Sequence, residues 1–335
     1  MKVLFDCVFP FSFAHGGAQT QIEKTKSSLS SLGIETDWLR WWDDSQKGDI
    51  IHYFGRPSYH YVFLARHGGR KVVIADLLGG QGSRTAIQKL PHRLVMEVDR
   101  LLGSKMARAL GWQSYRICDK AIFLTEWERQ VGRELFGCPL SKSDVVPNGV
   151  EQEFFLNDER PSRGKWLVCT ATITERKRVA ELAEASSTAQ IPVWIIGKPY
   201  ADDDPYYRRF LDAVASSNGM VRYEGPVSDR SQMAEIYKTA RGFVLLSTLE
   251  SLSLSALEAA ASGCPLLLTD LPWARSTFAG KASYCPIDSA AKTATHLKVF
   301  YDAAPDLPIP ERPGTWNDVA LQLKGIYEGL MDEKG

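Results

Sequence analysis

Short apolar runs rich in Val, Ile and Phe alternate along the chain with longer segments of helical period. That alternation is the signature of βαβ units and parallel sheets, so the predicted fold class is α/β. In the first half, residues 2–5, 49–54, 71–75, 121–125 and 144–146 read as strands. In the second half, residues 166–170, 193–197, 221–224, 242–247 and 265–269 do so. Each half carries its own strand-helix series, which predicts two Rossmann-like, doubly wound domains rather than one long sheet. Residues 157–164 (NDERPSRG) are polar, contain Pro and Gly, and mark a linker. The expected domains are residues 1–158 and 165–314. A closing amphipathic helix within 315–335, with Trp316, Val319, Leu323, Ile326, Tyr327 and Leu330 on one stripe, is expected to pack back on the first domain.

The clearest period belongs to the first helix, where Ala18, Ile22, Thr25, Leu29 and Leu32 form one stripe and Gly33 ends it. The Gly16-Gly17 turn immediately before that helix leaves backbone amides free at a helix N-terminus, a phosphate cradle in principle. The turn is not a G-x-G-x-x-G fingerprint, since Ala18-Gln19-Thr20 follow, and a hydride-transfer cofactor is therefore disfavoured. A purely conformational role for the two glycines fits as well.

Composition alters this picture little. At 335 residues the chain exceeds what one core usually organises, which agrees with two domains. Forty basic and 40 acidic side chains balance, so nothing global points to nucleic acid. The halves differ, however: residues 1–150 hold 20 Lys and Arg against 15 Asp and Glu. Within that half, Arg84, Lys89, Arg93, Arg100, Lys105, Arg108, Arg116, Arg129 and Arg133 interleave with Leu90, Leu94, Val95, Leu101, Leu102 and Met106. Residues 84–133 thus fit peripheral contact with anionic lipid, and equally a solvated helix face broken by Glu97 and Asp99. Six scattered cysteines without C-x-x-C pairs suit reduced thiols in a cytoplasmic protein. The N-terminal stretch makes a poor signal peptide, and no apolar run is long enough to span a bilayer. Any membrane contact is expected to be peripheral, on the inner face.

The chemistry concentrates in Ser247-Thr-Leu-Glu250-Ser-Leu-Ser-Leu-Ser-Ala-Leu-Glu258-Ala-Ala-Ala-Ser-Gly263, where a strand, a Ser-rich loop and an Ala-rich helix follow one another. Such a segment sets free amides near residues 253–255 at the C-terminal edge of a sheet, where anions bind. Glu250 in the loop and Glu258 in the helix are placed to grip hydroxyls at two ends of one ligand. Ser255-Ala-Leu-Glu258 also fits a capping box, in which the glutamate only satisfies an amide. Asp202-Asp203-Asp204 reads as a solvated turn, and no metal is assigned.

These residues resemble the retaining glycosyltransferases of family 4, the group 1 family with the GT-B fold of two Rossmann-like domains facing across a cleft. The matching features are the Glu250-x7-Glu258 pair, Gly263-Cys264-Pro265-Leu266-Leu267, the Gly16-Gly17 turn, Val146-Pro147-Asn148-Gly149-Val150, the strand at 193–197, and Trp316 and Tyr327 in the closing helix. The resemblance implies that Glu250 contacts the transferred sugar and Glu258 the ribose hydroxyls. It assigns the donor diphosphate to Lys177, with Arg176 and Arg178 as neighbouring competitors. The amides of Ser251, Leu252, Ser253 and Leu254, with Gly16 and Gly17, complete the donor-binding set. The implied co-substrate is a UDP- or GDP-sugar, used without a cofactor or metal. The implied acceptor is a glycan, a lipid-linked molecule or a small molecule, met by the first domain.

Asp76 is the residue chosen near that acceptor. Trp38, Trp41, Trp42, Tyr53, Tyr59 and Tyr61 are sugar-stacking candidates expected mostly in the core, and residues 79–84 are expected to be a flexible polar loop. The chain departs from the family pattern at Ser251 and Ser253, which replace glycines, and at Thr172, which replaces an arginine. A sugar-nucleotide epimerase, a phosphorylase, or a non-catalytic subunit of a glycan-assembly complex are the competing readings.

Overall fold

The computed structural model describes residues 1–8, 16–102, 113–156 and 162–332. It contains two compact units, one of residues 1–149 with 316–335 and one of residues 150–315. Lys105, Met106 and Arg108 of the cation-rich segment, and residues 157–161 of the expected linker, lie outside the described residues.

The first unit is built on six parallel strands: β1 (Lys2–Cys7), β2 (Glu35–Trp38), β3 (Ile50–Phe54), β4 (Lys71–Ala75), β5 (Lys120–Phe123) and β6 (Ser143–Val145). Their order is β2-β1-β3-β4-β5-β6. Val3 faces Ile50 across the β1–β3 ladder, and all five residues of β3 are buried. Near-continuous apolar runs are what a strand covered on both faces requires. The covering helices are α1 (Gly17–Ser31), α2 (Tyr59–His67), α3 (Gly79–Gly82), α4 (Ala86–Leu101), α5 (Ser114–Ile117), α6 (Glu126–Phe136) and the closing helix Trp316–Asp332.

Three expectations need correction here. The α1 stripe holds at Ile22, Thr25 and Leu29, but Ala18 is exposed and Gln21 takes a buried place. Residues 79–84 are not a loop throughout: Gly79–Gly82 form the short helix α3, and the Leu78 amide before it donates to buried Glu128 on α6 at 2.9 Å. Strand β2, Glu-Thr-Asp-Trp, is an additional strand at the sheet's outer edge, where no apolar run is demanded. The closing helix buries Trp316, Val319, Leu323, Tyr327 and Leu330. The Tyr327 hydroxyl meets His52 Nδ1 on β3 at 2.6 Å.

The second unit has six parallel strands as well: β7 (Leu167–Thr170), β8 (Val193–Ile196), β9 (Val221–Tyr223), β10 (Gly242–Leu245), β11 (Leu266–Thr269) and β12 (Ser283–Cys285). Their order is β12-β11-β10-β7-β8-β9. Edge strand β12 is a second addition to the sequence reading, only three residues long. The helices are α7 (Val179–Ala189), α8 (Pro205–Ala215), α9 (Arg230–Thr239), α10 (Leu254–Ala261), α11 (Pro272–Phe278) and α12 (Ala290–Ala303). Counted from β7, the strand order is 6-5-4-1-2-3, so the winding reverses between β7 and β10. In doubly wound sheets, ligands bind beyond the carboxyl ends of the strands at such a reversal.

Candidate active site

The loops that leave β7 and β10, the two strands at the reversal, carry the charged residues singled out in the sequence. After β7 the chain passes through Ala171–Thr174 into a tight 3-10 turn, Glu175–Lys177. Arg178 then takes a left-handed conformation (φ 52°) to start α7. After β10, residues 246–253 run to α10, whose N-cap is Ser253. The two loops are tied together, because the Thr248 amide donates to the Arg176 carbonyl at 2.9 Å.

That tie sets Glu250 against two cations. Lys177 Nζ pairs with Glu250 Oε1, and Arg176 Nη1 reaches the same oxygen at 3.2 Å while donating to the Leu249 carbonyl at 2.6 Å. The Lys177 and Glu250 side chains are both largely buried, whereas Arg176 is half-exposed. Two cations against one carboxylate leave this cluster net positive, which favours an anionic ligand. Arg178 turns elsewhere and donates to the Asp288 carbonyl at 3.3 Å. The buried hydroxyls of Thr174 and Ser247, on the same two loops, have no partner among the described residues. Polar groups of that kind mark a place that suits a polar ligand or ordered water.

The start of α10 completes the cluster. The Ser253 hydroxyl accepts from the Ala256 amide at 3.4 Å, and Leu257 N bonds to the Ser253 carbonyl at 3.1 Å. The capping residue is thus Ser253, and the Ser255–Glu258 capping box does not form. The first-turn amides at Leu254 and Ser255 have no intrahelical acceptor and carry the positive end of the helix dipole. Ser251 is half-buried, and Leu252 is buried beneath the loop.

Glu258, freed from capping, is held by a residue that no motif marked. Arg230, the first residue of α9, donates to Glu258 Oε1 and, through Nε at 2.8 Å, to Glu151. Its guanidinium lies 4.6 Å from the Phe154 ring centroid. Burial raises the Glu258 carboxyl above its ordinary range, Arg230 opposes that shift, and Glu151 adds to it. Charge near Glu258 also helps to push the Tyr237 hydroxyl well up, after burial itself. Only the Asp229-Arg230 start of a helix is visible in the sequence at this point. Asp204, of the three consecutive acids, caps α8 by accepting from the Tyr206 amide at 2.9 Å.

Gly16, Gly17 and Asp76 belong to the first unit. Gly16 is the N-cap of α1 with φ 148°, a conformation suited to glycine, and nothing lies within 4 Å of where its Cβ would be. Asp76 is buried and committed: it accepts from Arg56 Nε and Nη2 at 3.0 and 2.9 Å and from the Tyr115 hydroxyl. Arg56 in turn stacks 4.0 Å from the Phe136 ring centroid. Of the aromatic candidates, Tyr53 is in the core and Tyr61 donates to Asp6 at 2.6 Å. Trp41 and Trp42 are 74% and 84% exposed on the loop after β2, where they remain open to a sugar ring.

The family model described as "Glycosyl transferases group 1" matches residues 164–300, the stretch that holds all of Lys177, Arg230, Glu250 and Glu258. No curated protein sequence matches. Among solved structures, sucrose-phosphate synthase from Thermosynechococcus elongatus is similar over 99% of this chain and 100% of its own, with 15% identity and a TM-score of 0.71. Anabaena HepE, solved in complex with UDP, is similar over 98% and 100%, with 12% identity and a TM-score of 0.66. A Rickettsia africae glycosyltransferase is similar over 98% of each chain, with 14% identity and a TM-score of 0.64. At these identities the likeness establishes a shared GT-B fold.

Proposed function

We propose that this chain, whose residues 164–300 match the group 1 glycosyl transferase model, moves a hexose from a UDP- or GDP-sugar to a glycan, lipid-linked or small-molecule acceptor with retention at the anomeric carbon. The observation that carries the proposal is the Lys177–Glu250 pair, formed by the loops leaving β7 and β10 beside the first turn of α10. As the bond from the anomeric carbon to the diphosphate breaks, negative charge grows on the leaving oxygens. Lys177, Arg176 and the amides of Leu254 and Ser255 are fixed donors suited to that charge, and fixed donors need no reorganisation during the reaction. They act without a metal. Glu250, held between two cations, is suited to hydroxyls of the transferred sugar, and Glu258, oriented by Arg230, to the ribose.

Two features favour an acceptor surface on the first unit: exposed Trp41 and Trp42, whose faces suit stacking on a sugar ring. Asp76, locked by Arg56 and Tyr115, is better suited to shaping that unit than to proton transfer. The enzyme is proposed to work in the cytoplasm. A thermal-shift screen against UDP, GDP and ADP tests the donor assignment, since a ligand that binds the folded state raises its melting temperature. One nucleoside diphosphate is expected to stabilise the wild type, and to do so much less for Lys177→Met. Stabilisation by none of the three would point instead to a non-catalytic subunit. Conversion of the donor without any acceptor, giving a second sugar nucleotide, would point to an epimerase.

A further inference from the structure

The sheet of the first unit has a reversal of its own. Its order, β2-β1-β3-β4-β5-β6, changes direction between β1 and β3. Doubly wound sheets hold ligands beyond the carboxyl ends of the strands at such a point. Asp6, the penultimate residue of β1, stands there beside its register partner Tyr53 on β3.

Asp6 is buried, keeping 8% of its surface open. Its partners among the described residues are neutral: the Cys7 amide donates to Oδ1 at 2.9 Å, and the Tyr61 hydroxyl, from the first turn of α2, donates to Oδ2 at 2.6 Å. Burial raises the carboxyl above its usual range, while the Tyr61 hydroxyl, the Cys7 amide and the Trp41 indole oppose that shift. Trp41 itself is 74% exposed. The Tyr53 and Tyr61 rings meet edge to face, with 5.0 Å between centroids. A carboxylate thus lies among three aromatic side chains with no cation to balance it. At the neighbouring strand ends the charges cancel, because Arg56 after β3 pairs with Asp76 after β4.

Holding Tyr61 and Trp41 in place does not require a charge. An asparagine would meet the same amide, and a tyrosine hydroxyl accepts as readily as it donates, without the cost of a buried anion. A carboxylate has about four acceptor positions, so three donors leave one for a ligand hydroxyl. We infer that Asp6 is a specificity-determining residue of the acceptor site, binding a hydroxyl of an uncharged sugar ring that stacks on Trp41 and turning away rings that carry a carboxylate or phosphate. The sign of the charge does the selecting. The cluster in the second unit sets two cations against one carboxylate and suits an anion, whereas here one carboxylate faces none. A sugar ring supplies what is missing, hydroxyl donors at its edge and an apolar face for an indole. As an acceptor site it rests on the transferase reading; as a sugar site it stands without it.

The test is titration of the full chain, without donor, by saturation-transfer NMR against the methyl glycosides of glucose, galactose and mannose and their uronate counterparts. At least one neutral glycoside is expected to bind the wild type about tenfold or more tightly than its own uronate, because like charges brought together repel. Asp6→Asn keeps the shape and removes the charge. It is expected to weaken the neutral glycoside about tenfold and to erase the preference over the uronate. Trp41→Ala, at an exposed position, is expected to weaken the neutral glycoside with an unchanged melting temperature. Equal binding of a neutral glycoside and its uronate by the wild type, Asp6→Asn that binds as the wild type does, or binding of no glycoside at all would overturn the assignment. So would a lowered melting temperature in Asp6→Asn together with Trp41→Ala that binds normally, since Asp6 would then only hold the fold. Sugar binding that depends on Asp6 in a chain that no nucleoside diphosphate stabilises would sustain the sugar site and refute the transferase reading.

Discussion

Replacing Arg230 by Met tests how the buried carboxylate of Glu258 is sustained. Arg230 is the cation that the structure gives to both Glu151 and Glu258, and both carboxylates are nearly buried. Removing it leaves two acids near one another without the cation they share. Removing one partner of a buried pair costs about 3–5 kcal/mol; because the Arg230 side chain is partly exposed, about 2–3 kcal/mol is the better figure here. For a unit of this size that corresponds to a fall in melting temperature of about 5–10 °C. The sign of the pH dependence follows from the shift at Glu258. Its folded carboxyl titrates above the ordinary range, so the stability it contributes is full below the unfolded pKa and is lost as pH rises through the folded one. Without Arg230 that folded value rises further. The gap between Arg230→Met and wild type is therefore expected to be widest in neutral and alkaline buffer and to narrow in mild acid. Adding Glu258→Gln to Arg230→Met is expected to recover most of the lost stability. Melting curves across pH for the wild type, both single variants and the double variant decide the matter. If the double variant melts no higher than Arg230→Met, or if the gap does not change with pH, the uncompensated-carboxylate reasoning is wrong.

Other outcomes follow from the same kind of reasoning. His52 is buried between β3 and the closing helix, and burial lowers its pKa to about 3 from 6.5. A folded value below the unfolded one gives stability that is present above pH 6.5 and is lost as pH falls towards 3, worth about 3–5 kcal/mol at most. Acid denaturation of His52→Gln should accordingly show a flatter limb over that range than the wild type, and an identical limb would refute the assignment. Gly197 follows β8 with φ 154°, and a Cβ there would sit 1.9 Å from the backbone oxygen of Ala171, at the start of the loop that carries Lys177. Gly197→Ala should destabilise the second unit by about 3 kcal/mol and weaken nucleotide binding; calorimetry showing neither change would contradict it. Trp41→Ala/Trp42→Ala should raise the KM for the acceptor and leave donor binding unchanged, and steady-state kinetics in both substrates would show otherwise if the surface is not used.

The two sheets were legible because their inner strands are continuous apolar runs, such as Ile50–Phe54 and Gly242–Leu245, which few other structures need. Two of the four edge strands escaped notice for the converse reason. Glu35–Trp38 and Ser283–Cys285 lie at the margins, with one face or side open, and their pattern is set by pairing rather than burial. The charged cluster was legible in part. Lys177 and Glu250 lie in loops after strands, and a parallel sheet brings such loops to one edge, but only the strand order makes them neighbours. Arg230 was not legible, because its role depends on a packing contact between helices α9 and α10, and nothing local distinguishes it from any other arginine in a first turn. The facing of α4 was also hidden. A stripe of Ile and Leu at helical spacing reads as a core face, yet Lys89 and Asp99 are buried there while Ile87, Leu90 and Leu94 are exposed.

The most direct test of the account is to incubate the purified full chain with UDP- and GDP-hexoses plus candidate acceptors, and to follow nucleoside diphosphate release and glycosylated product by mass spectrometry. The account predicts one productive donor, a product whose anomeric configuration matches that donor, and a fall of about a hundredfold or more for Lys177→Met. Release that Lys177→Met leaves unchanged, or a product of inverted configuration, would contradict it.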